Sequence, residues 1–307
     1  MSFPFITKND VALAGGKGAS LGEMTRAGIP VPGGFVILSS AFDRFISKTQ
    51  IKADIDAVLH DVHHEDINSV EKASAEIQAF IVSKEIPSSL QKEILVAYDE
   101  LKSEFVAVRS SATAEDSSSA AWAGQLDTFL NTTKENLLEN IKRCWASLFT
   151  PRAIFYRFEK SLHNTTISIA VVIQKMIHSE VSGIAFSVHP VTKDKNKMII
   201  EAGYGLGEAI VSGQITPDSY VLEKNSLKLL DINVSEQGKG LFRSKKGGNE
   251  WKTLKDGGKQ KLSKKQIMEL ARLIMKIEKH YGFPIDVEWA MEKEMWYITQ
   301  SRPITTL

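Results

Sequence analysis

The chain has 307 residues, enough for one large domain or two packed lobes with separate cores. Its 38 Lys plus Arg stand against 37 Asp plus Glu, so no overall field favours nucleic acid or a membrane surface. Any anionic ligand must be held by a local site. The single cysteine, Cys144, excludes an intrachain disulfide and suits a reducing compartment. No basic segment followed by an apolar stretch opens the chain, and no apolar run reaches transmembrane length, so a cytoplasmic location is expected.

In chain order, Ala14-Gly15-Gly16-Lys17-Gly18-Ala19-Ser20 comes first, and the Ser20-to-Glu23 spacing of a capping box predicts that a short helix opens at Ser20. Phe35-Val36-Ile37-Leu38 is an apolar run between turn residues and reads as a buried strand. Residues 40–103 are polar and helical in period; His60, His63 and His64 among them fit a solvated helix end better than a metal site. Phe105-Val106-Ala107-Val108-Arg109 is a strand that empties into a serine-rich loop over residues 110–119, long enough to carry function. A strand over 124–130 and one helix over 136–159 follow, with Cys144 as a buried helical thiol rather than a nucleophile.

The second half is richer in strands, at 167–174, 183–188, 198–202 and 219–222, with glycine-rich Gly203-Tyr204-Gly205-Leu206-Gly207 between the last two. Residues 236–258 read as an exposed, basic, turn-rich hairpin or excursion. A helix over 263–281 has Ser263 as its cap and Gly282 past its end, and strands at 285–290 and 295–300 close the chain. No repeat or linker splits the sequence cleanly; a lobe boundary is expected near residues 165–175.

Several groups could carry chemistry. Gly15-Gly16-Lys17-Gly18 is not the Walker pattern, because Gly follows Lys17, but it offers backbone N–H groups and a lysine beside a helix start. Arg109, at a strand end, can fork onto phosphate oxygens, or equally serve in a structural ion pair. Asp286 and Glu288 share a strand face, and Glu288 with Gln300 supplies hard oxygen ligands suited to Mg²⁺. Arg302 can then neutralise charge on a phosphoryl group in transit. The spacing in 203–207 fails the dinucleotide fingerprint, and that turn is expected to pack against a nucleotide or a partner.

Taken together these segments resemble one family. Residues 15–24, Val108-Arg109-Ser110-Ser111-Ala112-Thr113-Ala114-Glu115-Asp116, residues 123–130, Gly205-Leu206-Gly207-Glu208 with Thr216-Pro217-Asp218, Asp286-Val287-Glu288-Trp289 and Gln300-Ser301-Arg302-Pro303 look like the motifs of the ATP-binding domain of the dikinases. That family comprises phosphoenolpyruvate synthase, pyruvate phosphate dikinase and rifamycin phosphotransferase, and the motifs span nearly the whole chain in order. The one small departure is Trp122 in place of Phe.

The resemblance implies an α+β, ATP-grasp-like fold whose lobes, residues 1–170 and 171–307, clamp Mg–ATP. It implies phosphate-side contacts from Lys17, Arg109 and Thr128, with Gly124 supplying backbone, and an adenine-side contact from Gln174. It implies further that Glu288 and Gln300 hold metal and nucleotide and that Arg302 is the essential phosphate arginine. Residue chemistry alone singles out neither Gln174 nor Thr128. Relatives carry a phosphorylatable histidine in a glycine–threonine/serine–histidine motif, and none of the seven histidines here sits in one. The implied chemistry is therefore a half-reaction: the β-phosphoryl of ATP passes to a histidine on a swivelling domain or subunit, in cis or in trans, with neither nucleic acid nor membrane as partner. The alternative is a nucleotide sensor without transfer, though a sensor has no need of Lys17, Arg109, Glu288 and Arg302 together. An unrelated ATP-grasp ligase would need an acyl-acceptor site, for which the sequence has no candidate.

Overall fold

The computed structural model describes residues 1–113, 126–160, 162, 167–245 and 248–305. Two compact units emerge, one of Met1–Glu23 with Gly33–Met176, the other of Met24–Pro32 with Ile177–Leu307.

The first unit contains α1 (Val11–Arg26, its last turn grouped with the second unit), β1 (Gly34–Ile37), α2 (Ser39–Thr49), α3 (Lys52–His60), α4 (Ile67–Ser83), α5 (Ser88–Leu101), β2 (Val106–Ala112), β3 (Thr128–Thr132), α6 (Lys134–Ala146), α7 (Pro151–Glu159) and β4 (Ile169–Lys175). The strands form an antiparallel sheet in the order β1-β4-β2-β3. Strand side chains alternate between faces. One face, with Phe35, Ile37, Val106, Val108, Ile169, Val171 and Ile173, joins the helices in a core that includes Trp145. The other face carries Val36, Arg109, Ser111, Val172 and Gln174, and α1 runs against it.

Two helical expectations change. The helix expected over 136–159 is two, because Pro151 has no N–H to continue the ladder; α6 stops at Ala146 and α7 restarts from Thr150, whose side chain caps the N–H of Ala153 at 3.2 Å. The helix expected to open at Ser20 is already under way there. α1 begins at Val11 and breaks at Gly15, where φ is 69° and ψ is 172°, so Ser20 lies within its continuation. Cys144 is wholly buried, and burial pushes its thiol up to about 12, which excludes a nucleophile.

The second unit contains β5 (Val181–Phe186), β6 (Lys197–Tyr204), α8 (Glu208–Val211), β7 (Asp218–Glu223), β8 (Lys228–Asn233), β9 (Lys239–Arg243), β10 (Asn249–Thr253), α9 (Lys264–Tyr281), β11 (Ile285–Glu292) and β12 (Met295–Pro303). Six strands pair antiparallel in the order β12-β11-β5-β6-β7-β8, and β9 with β10 makes the basic hairpin. α9 has a reciprocal capping box between Ser263 and Gln266 and ends on Gly282 at φ 78°. It lays Ile267, Leu270, Ile274 and Ile277 on β6 and β11, each buried side chain worth about 1.5–3 kcal/mol. That packing leaves the alternate residues of β11, Asp286 and Glu288, for the opposite face.

Candidate functional site

In the first unit, cross-strand register sets the polar cluster. Arg109 stands opposite Thr128 of β3 and Val172 of β4, while Gln174 stands opposite Ala107, one diagonal step away. The Arg109 Nη1 donates to Gln174 Oε1 at 3.0 Å, with only 7% of Arg109 and 2% of Gln174 exposed. The Gln174 Nε2 is buried and has no hydrogen-bond partner among the described residues. A buried donor left in that state costs about 1–3 kcal/mol, so it is a place where a ligand acceptor gains. Thr128, opposite Arg109, is exposed. Gly124 lies outside the described residues.

Lys17 is half-buried in the turn that restarts α1 after Gly15. The glycines around it serve close approach of helix to sheet: a Cβ at Gly15 would stand 2.2 Å from Ser111 Oγ, and one at Gly18 3.1 Å from Val36 Cγ2. The Lys17 charge is felt at the Cys144 thiol, whose sulfur is 3.6 Å from the Val108 carbonyl of β2. Lys17 thus lies on the helix that packs against the Arg109 face of the sheet, next to Ser111 and Val36.

In the second unit the register pairs Asp286 with Arg302 and Glu288 with Gln300 on a single face. A bulge follows, between Glu288 and Trp289; such an irregularity re-aims the neighbouring side chains. Arg302 Nε and Nη2 both donate to Asp286 Oδ2, at 2.8 and 2.7 Å. Burial pushes the Asp286 carboxyl above the usual range, the Arg302 guanidinium pulls it back, and Glu288 adds a raising charge. Burial and the Asp286 charge likewise raise Glu201, a half-buried carboxylate of β6 that no motif or spacing singles out. The face carries more negative than positive charge, and its donors are oxygens. A divalent cation bridging to phosphate needs only one or two protein oxygens, and Glu288 with Gln300 offers that set. Among the described residues no three His, Cys, Asp or Glu side chains form a closed metal cage.

Other motif residues make structural contacts within their own unit. The turn at 203–207 packs on its own unit. Gly205, at φ 91°, lies so close to β9 that a Cβ would stand 2.3 Å from the Leu241 carbonyl, and Ser179 and Ser182 both donate to its carbonyl. Asp218 is fully buried: it pairs with Lys261 at 2.9 Å and accepts from the Tyr220 hydroxyl at 2.7 Å and from the backbone N–H groups of Ser235 and Lys261. His189 Nδ1 accepts from the N–H groups of Val191 and Thr192, which closes the His-Pro turn. His64 stacks on Phe158 at 4.9 Å.

A family model described as the pyruvate phosphate dikinase AMP/ATP-binding domain matches residues 11–307, and the chain belongs to that family. Among curated relatives, a probable phosphoenolpyruvate synthase of Archaeoglobus fulgidus is 47% identical over 98% of this chain and 41% of its own length. A probable phosphoenolpyruvate synthase of Methanocaldococcus jannaschii is 42% identical over 98% of this chain and 26% of its own. The phosphoenolpyruvate synthase of Pyrococcus furiosus is 39% identical over 99% of this chain and 43% of its own. The chain therefore spans well under two thirds of the length of these relatives. A D-alanine-D-alanine ligase structure from Helicobacter pylori aligns with 76% of the chain and 53% of its own at 13% identity, with a TM-score of 0.32, too low to bear on the fold. No helix among the described residues is long and apolar enough to cross a membrane.

Proposed function

We propose that the chain binds Mg–ATP and donates its β-phosphoryl group to a histidine on a swivelling domain or subunit, supplied in cis or in trans. The products are phosphohistidine, AMP and inorganic phosphate. The bond between the α and β phosphates breaks, the γ group leaves as phosphate, and water supplies the oxygen that completes it.

The observation that carries this reading is the double register of β11 with β12, which sets Asp286 beside Arg302 and Glu288 beside Gln300 on one face. Glu288 and Gln300 are the residues that would hold Mg²⁺, which when bound neutralises phosphate charge. Arg302, oriented by Asp286, presents a planar guanidinium to a phosphoryl group. In the first unit Lys17, Arg109 and Thr128, with the backbone of Gly124, take the phosphate side, and the Gln174 amide takes the base. An ATP-grasp-like fold belongs to the same reading.

The test is to incubate the chain with Mg²⁺ and β-labelled ATP, alone and with an isolated phosphohistidine domain of a relative. Label on that domain, accompanied by AMP, is the expected result. Nucleotide binding without transfer to any such domain would favour a sensor. Arg302→Ala should keep the fold and abolish transfer; unaltered transfer overturns its role.

A further inference from the structure

In an unbroken helix the N–H of residue 18 bonds to the carbonyl of residue 14. In α1, where Gly15 breaks the helix between these two residues, a side chain from another element bridges both groups. The Ser111 hydroxyl donates to the Ala14 carbonyl at 2.9 Å and accepts from the Gly18 N–H at 3.2 Å. Insertion of a side chain into the helical ladder is one of the few ways to hold a sharp kink. The kink is at Gly15, in the left-handed region at φ 69°, and the Ser111 backbone and hydroxyl occupy the space where a Cβ would stand. Ser111 is itself fully buried, two residues beyond Arg109 on the same face of β2.

A hydroxyl suits this place for two reasons. It can donate and accept at once, which a relay requires. It is also small enough to enter between the turns where Gly15 has no side chain. Lys17 lies inside the relayed turn, between Ala14 and Gly18, so its backbone is fixed by a bond to the strand that carries Arg109.

We propose that Ser111 is the positioning residue for the phosphate-side contacts, clasping the broken turn that presents Lys17 to the strand that presents Arg109. The inference rests on the reading of Lys17 and Arg109 as phosphate contacts. Without the hydroxyl, the Ala14 carbonyl and the Gly18 N–H must either pair directly, straightening the helix, or remain unpaired; in both cases Lys17 shifts.

The test is a double-mutant cycle on Mg–ATP binding by the full chain, with Lys17→Ala, Ser111→Ala and the pair, read by calorimetry. Ser111→Ala should weaken binding about tenfold when Lys17 is present and less than about twofold when it is absent, since residues acting through one another are not additive. A Ser111→Ala chain that binds like wild type, or loses equally in both backgrounds, overturns the clasp. Should Ser111→Ala fail to fold, Ser111→Cys keeps the bulk with a poor donor, and the same non-additivity with Lys17 is required of it. Lys17→Ala binding as tightly as wild type would instead sink the phosphate-side reading, and the clasp's function with it.

Discussion

Arg109 and Gln174 share a hydrogen bond of 3.0 Å inside a sheet where neither is appreciably exposed. One end of the glutamine amide is thereby fixed, since only its oxygen can accept from a guanidinium. The other end, Nε2, is buried and without a partner among the described residues. Gln174→Ala should remove the bond to a buried cation and destabilise the protein by about 1.5–3 kcal/mol. Gln174→Glu should do something different: it pairs Arg109 with a charge and removes the spare donor. If Nε2 serves the base of the nucleotide, Gln174→Glu weakens ATP binding while holding or raising the unfolding midpoint. Calorimetry and thermal unfolding on the two variants separate these effects. Unchanged affinity in both would exclude Gln174 from nucleotide contact.

The partnership of Arg109 with Gln174 spans 65 residues, and nothing near either one in sequence announces it. Local signals read well: Ser263 with Gln266 opens α9 and Gly282 closes it, as the capping pattern requires. The same pattern misled at Ser20 with Glu23, because residues three apart face one way inside a helix as well as at its start. What breaks α1 is Gly15 together with a serine 97 positions from Ala14, and only the folded sheet brings them together. Asp286, Glu288, Gln300 and Arg302 were legible because alternation along two adjacent strands already sorts faces. β8 was missed: it is a mostly exposed edge strand and lacks the clean apolar alternation that marked the others.

Asp218 shows that a family motif can be structural. Its carboxylate and the Lys261 ammonium are both inaccessible to solvent, and Lys261 Nζ also donates to the carbonyls of Ser235 and Gly257. Breaking such a pair from one side leaves a bare charge in the interior, at a cost of about 3–5 kcal/mol. Asp218→Ala should therefore lower the unfolding midpoint steeply. Lys261→Met together with Asp218→Leu should recover part of the loss, because no lone charge then remains. Urea unfolding of the three chains decides the matter. A mild effect of Asp218→Ala alone would mean that the network is not the staple of the second unit.

Alkaline pH should unfold the protein through groups that resist ionisation in the folded state. Burial pushes the Cys144 thiol up to about 12, from roughly 8.5 for a free thiol. Burial and the hydrogen bond to Asp218 also raise the Tyr220 phenol. A group whose proton is held more tightly when folded adds stability that is complete below its unfolded pKa. Above that value the unfolded chain sheds the proton first, so stability falls as pH rises toward the folded pKa. Between about pH 8.5 and 12 the urea midpoint should thus decline, with the Cys144 contribution beginning first because a free thiol titrates below a free phenol. Cys144→Ala should start somewhat less stable at pH 8, since it leaves a small cavity, yet decline less steeply. Thiol reagents should fail to modify Cys144 in the native protein at pH 8 and react promptly once urea unfolds it. Equal slopes for wild type and Cys144→Ala would show that the thiol contributes nothing to the alkaline limit and would leave Tyr220 to account for it.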